Sequence, residues 1–85
     1  MADTNIIPLL DAYEAARADT DRLWLTAGRS DAAAAAHEAA VSAEEGAVDA
    51  CVAELRRLAP ELTYKTARGM VAIPAYRAKV RAIYG

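Results

Sequence analysis

The sequence predicts an all-α fold, a long antiparallel helical hairpin over 5–59 capped by one or two short helices within 61–85, in one helical domain. Apolar residues recur at three- and four-residue spacing through most of the first 58 positions. No stretch alternates apolar and polar residues over the four to eight positions a half-buried strand needs. Glycine and proline are few, four and three in 85 residues, and phenylalanine is absent.

The first helix is expected from Ile6 to Ala27. Asn5 precedes it as the expected N-cap, its side chain accepting from amides of the first turn, and Pro8 sits early enough for its missing N–H to cost little. Leu9, Tyr13, Ala16, Thr20, Leu23 and Ala27 form its seam, widened by Ile6, Leu10 and Trp24. Gly28 is expected in the left-handed conformation that ends many helices, and Ser30 offers a hydroxyl to cap the next one.

The second helix is expected from Asp31 to Leu58 or Ala59, with Asp31 at the positive end of its dipole and Pro60 stopping it. Its stripe is Ala34, His37, Val41, Glu44, Val48, Cys51, Leu55 and Leu58. The short Gly-Arg-Ser-Asp connection predicts that the two helices fold back on each other, with alanines allowing close approach near the turn. Folding about Arg29 places His37 opposite Thr20, Asp21 and Trp24, and Glu44 and Glu45 near Tyr13 and Arg17.

Thr63 then caps a short helix over Tyr64–Ile73, weakened in its middle by Gly69. Pro74 opens a last helix, in which Tyr76, Val80 and Ile83 are expected to pack. This segment is expected to cover the open end of the hairpin, where Ile6, Leu9, Leu10, Val52 and Leu55 collect.

Composition limits the core. Hydrophobic residues make up 55% of the chain, but 23 of them are alanine. A domain this short buries a modest share of its surface, so a protein partner or a second copy, giving a homodimer, can supply cover. The net charge of −2 is unevenly spread: residues 1–60 carry eleven acids and five bases, while 61–85 carry Glu61 against Lys65, Arg68, Arg77, Lys79 and Arg81. The two parts are expected to attract. A lone Cys51, the absence of a basic and apolar leader, and charges interrupting every apolar run predict a reduced, cytoplasmic protein that does not enter a membrane.

Three constellations bear on function. His37, Glu44 and Glu45 share one helical region, yet a helical metal site usually has a carboxylate three residues before its histidine, and Ala34 stands there. A structural role is expected instead, with Glu44 pairing Arg17 and Tyr13 and His37 packing on Trp24. Cys51 lies on the inner stripe, where a thiol behaves as a small hydrophobe, and His37 is fourteen residues away, too far to activate it. With no phosphate loop, nucleophile elbow or paired-cysteine pattern, neither an enzyme nor a cofactor is expected.

The third constellation is Leu23, Trp24 and Leu25, three large apolar residues in a row, more than one helical stripe can bury. Trp24 and Leu25, with neighbouring Arg22, are therefore the candidate partner-binding residues, because aromatic anchors dominate protein interfaces. The competing candidate is the basic segment: Lys65, Arg68, Arg77, Lys79 and Arg81, interleaved with tyrosines, have the charge of a nucleic-acid-binding surface. Against it stands the acidic chain as a whole, which weakens long-range attraction to phosphate.

The stretches "PLLDAYEAARADTDRLW" and "APELTYKTARGMVAIPAY", with Thr63, Gly69 and Tyr76 at their spacing, resemble short uncharacterised helical-hairpin proteins of alphaproteobacteria and their phages. The resemblance implies a fold rather than an activity. The non-enzymatic interaction module is expected instead from the missing catalytic groups, the crowded apolar residues around Trp24 and the limited core; small acidic helical phage proteins include inhibitors of bacterial defence systems, which makes such inhibition one version of that expectation.

Overall fold

The computed structural model describes residues 3–85 and places four helices along them: α1 (Ile6–Trp24), α2 (Asp31–Leu58), α3 (Tyr64–Ala72) and α4 (Pro74–Tyr84). No strand occurs among the described residues. The molecule measures 47 × 21 × 20 Å. Its long dimension is set by α2, whose 28 residues span about 42 Å at 1.5 Å per residue.

Helix boundaries follow local chemistry where capping is local. The Ser30 hydroxyl accepts from the Ala33 amide at 3.0 Å and opens α2. Thr63 does the same for α3 through the Thr66 amide at 3.1 Å. Pro74 occupies the first position of α4, where its missing N–H costs nothing.

Two expected caps are corrected. Asn5 makes no side-chain capping bond; the Thr4 hydroxyl accepts from the Ile6 amide instead, and the Asn5 amide donates to the Glu54 carboxylate 49 residues away. At the other end, α1 stops at Trp24 rather than Ala27. Bonds from the Thr26, Ala27 and Arg29 amides to carbonyls three residues back tighten this end into successive turns. No described glycine has a positive φ, so Gly28 is not a left-handed cap.

α1 packs on α2, α2 on α3, α3 on α4, and α4 back on α1. Side-chain pairs between α1 and α2 run in opposite orders along the two helices, Arg17 with Glu44 and Trp24 with His37, and Thr4, just before α1, meets Glu54. The core joins Ile6, Leu10 and Tyr13 of α1, Val48, Cys51, Val52 and Leu55 of α2, Ala67 and Val71 of α3, and Val80 of α4. All of it lies in one half of the long axis. From residue 14 to residue 47 nothing is buried: α3 and α4 reach only the Glu14 and Glu44–Glu45 end of this stretch through arginines, and beyond it α1 and α2 face each other mainly across alanine and polar residues.

That layout corrects two expectations about packing. Within α4 only Val80 is buried, while Tyr76 and Ile83 are 48% and 70% exposed. Trp24 does not widen the α1 seam; it lies outside, 68% exposed.

Candidate interaction surfaces

The first surface is the tip, where α1 ends and α2 begins. Helical spacing turns Leu23 partly inward, which leaves the next two residues on the outside: Leu25 is 78% exposed. The Trp24 ring rests against His37 with centroids 5.6 Å apart and planes tilted by 52°. One side of the indole is thus supported and the rest is open to water. Arg22 bonds to Asp19 at 3.3 Å on the same exposed stretch, a pair of the kind worth little in water.

The second surface is the outer side of α4. Because Arg77, Val80, Arg81 and Tyr84 turn inward, Tyr76, Lys79 and Ile83 share the exposed side next to them, with Ile73 just before the helix. Ile73 and Tyr76 are each about half exposed. The Lys79 ammonium lies 5.7 Å from the Tyr76 ring centroid, within cation–π range.

The basic segment expected as a nucleic-acid surface is largely engaged within the molecule. Arg81 binds both Asp11, at 2.7 Å, and Glu14 of α1. Arg77, only 15% exposed in its side chain, lies 3.7 Å from Glu14 and 5.3 Å from the Tyr13 ring centroid. It also donates to the Val71 and Ala72 carbonyls, which end α3 without helical partners. Arg68 donates to the Tyr64 hydroxyl, which in turn donates to Asp49. Hydrogen bonds donated to these acceptors, Glu14 above all for Arg81 and the Tyr64 hydroxyl for Arg68, push both guanidinium pKa values further up. Among the described residues Lys65 and Lys79 have no ion-pair partner.

His37, Glu44 and Glu45 do not converge as a site. Glu44 pairs with Arg17 at 3.5 Å, and Glu44 and Glu45 line a small 140 Å³ hollow together with Arg17, Arg68 and Tyr13. Two guanidinium groups there already supply the positive charge a metal would bring. Among the described residues no three His, Cys, Asp or Glu side chains gather as a metal site. Cys51 is fully buried, and burial pushes its thiol up to about 11, against a smaller opposing effect of Arg77. It is a core residue with little thiolate at neutral pH.

Sequence reasoning missed Glu54. At 9% exposed it is the one buried charged residue described, and it anchors the start of the chain to α2. Its carboxylate accepts two hydrogen bonds from Arg57, at 2.7 and 2.8 Å, and one each from the Thr4 hydroxyl and the Asn5 amide. Arg57 also donates to the Asp3 carbonyl. These bonds, those of Arg57 first, hold the Glu54 pKa down to about 2. The i, i+3 spacing of Glu54 and Arg57 was visible in the sequence; the Thr4 and Asn5 partners, about 50 residues away, were not.

An open groove of about 520 Å³ lies beside this anchor, lined by Asp49, Val52, Ala53, Arg56, Arg57 and Tyr64. Its polar groups are already committed: Arg57 to Glu54, Tyr64 to Asp49, and Arg56 Nε to the Leu62 carbonyl at 3.1 Å.

No helix is long and apolar enough to cross a membrane, among the described residues. No protein family, curated protein or solved structure matches the chain.

Proposed function

We propose that this chain is a non-enzymatic, cytoplasmic protein-interaction module: an antiparallel hairpin of α1 and α2, clamped at its open end by α3 and α4, which binds protein through Trp24 and Leu25 with Arg22 at the edge. The observation that carries this is the exposure of adjacent large apolar side chains at the tip of a molecule with a short core. An exposed indole braced by His37 is a preformed anchor, since little rotamer freedom remains to be lost on binding. Support for a non-catalytic role comes from the occupied state of the reactive groups: Cys51 is sealed in the core, and Glu44 is tied to Arg17.

One version of this reading, suggested by the resemblance to helical phage proteins, has a bacterial defence complex as the partner, which the chain would inhibit. Nucleic-acid binding through Lys65, Arg68, Arg77, Lys79 and Arg81 is disfavoured, because three of these five cations hold α3 and α4 in place.

In-cell photocrosslinking from position 25 tests the interaction surface directly. A discrete protein adduct is expected from Leu25 and not from an exposed control such as Ser42; recovery of the uncrosslinked chain alone would count against it. Inhibition of defence is tested separately, by restored phage infection in cells expressing the chain.

A further inference from the structure

Among the described residues, large apolar exposure is confined to two regions: Trp24 and Leu25 at the tip, and Tyr64, Ile73, Tyr76 and Ile83 on α3, α4 and the joint between them. Their charges are opposite. Residues 19–38, around the tip, carry four acids and two arginines, whereas the exposed face of α4 carries Lys79, the two arginines of that helix being turned onto Asp11 and Glu14. Internal pairing does not erase the difference where it matters. Among the described residues, Asp31 and Glu38 near the tip lack ion-pair partners, against one unpaired cation, Arg29. Lys79 stands unpaired between Tyr76 and Ile83.

From this complementarity we infer that the occupant of the tip is a second copy of this chain, docked head to tail: Trp24 and Leu25 of one molecule lie on the Ile73–Tyr76–Ile83 face of the next. The inference rests on the interaction role proposed above: where no other protein is bound at the tip, a copy of this chain occupies it. Like-with-like contacts fit less well. Tip against tip sets Asp31 and Glu38 against their own copies, and α4 against α4 sets Lys79 against Lys79; tip against α4 joins apolar to apolar and acid to base. A contact between unlike surfaces leaves one of each free on every pair, so association continues past the dimer as a ring or an open chain.

Sedimentation velocity over a range of concentrations at low salt tests this. The wild-type chain is expected to pass from monomer through dimer to larger species, and Lys79→Glu is expected to weaken association by roughly twofold to fivefold. Leu25→Glu blocks the tip and Ile83→Glu blocks α4, each at a side chain so exposed that the fold is kept, as circular dichroism checks. Each variant alone stays monomeric, and their equimolar mixture stops at a one-to-one dimer, since only one tip and one α4 face remain competent. Two results overturn the inference: a wild-type chain monomeric at every concentration, or an Ile83→Glu variant that still dimerises while Leu25→Glu does not. Neither decides whether Leu25 crosslinks to another protein in cells, so the broader interaction role stands or falls on its own experiment.

Discussion

Glu54 is the residue whose environment departs furthest from what its position in the sequence suggests. Removing its charge leaves the Arg57 guanidinium, the Thr4 hydroxyl and the Asn5 amide facing a weaker acceptor. Glu54→Gln is therefore expected to cost about 1–3 kcal/mol at pH 7 in urea unfolding. Because folding lowers the Glu54 pKa from 4.5 to about 2, the native state binds this proton less readily than the unfolded chain. Its contribution is complete above pH 4.5 and is lost as pH falls towards 2. The Gln variant should show a flatter stability profile across that window, and an unchanged slope would contradict the anchor. Cys51 gives a second residue-scale expectation: with its thiol buried and its pKa near 11, a thiol reagent at neutral pH should label it only as fast as the core opens, and denaturant should accelerate labelling by orders of magnitude.

Among the helices, the legible boundaries are those made by neighbours in sequence. Ser30 and Thr63 cap through amides three residues on, and Pro74 starts a helix through its own ring, so these follow from local chemistry. Asn5 and Gly28 failed because other groups took their roles: the Thr4 hydroxyl, itself held by Glu54 across the molecule, for Asn5, and a run of tight turns for Gly28. The periodicity located both long helices, yet it could not show that α4 buries only Val80, since Tyr76 and Ile83 fall one step round the helix from the residues that face α1. Gly46 tests the intrinsic energetics of α2. A methyl group there meets nothing within 4 Å, so Gly46→Ala should stabilise the protein by about 0.5–1 kcal/mol in thermal or urea unfolding. Arg77 tests the α3–α4 clamp. Replacement by Met keeps the apolar stem but abandons the Val71 and Ala72 carbonyls and the Glu14 pair, at an expected cost of about 1.5–3 kcal/mol.

Across the whole molecule, the charge division visible in the sequence is resolved mainly by internal docking. Arg81 on Asp11 and Glu14, and Arg77 on Glu14, join the basic segment to the acidic one. Accordingly, no retardation of DNA or RNA is expected in gels at low salt, and Arg77→Ala with Arg81→Ala should lower stability rather than any affinity; salt-sensitive retardation lost in that double variant would reverse the assignment. The division into a cored half and a thin two-helix half was not legible, because periodicity reports which side of a helix faces inward and not how many layers cover it.

Trp24 is the only tryptophan in the chain, so its fluorescence reports on the tip alone. At high dilution its emission should be that of a water-exposed indole, readily quenched by iodide. Binding of protein at the tip should shift that emission to the blue and protect it from iodide. A blue-shifted, quench-resistant signal at every concentration would mean that the indole is covered within the isolated chain, and the tip could not be a contact surface.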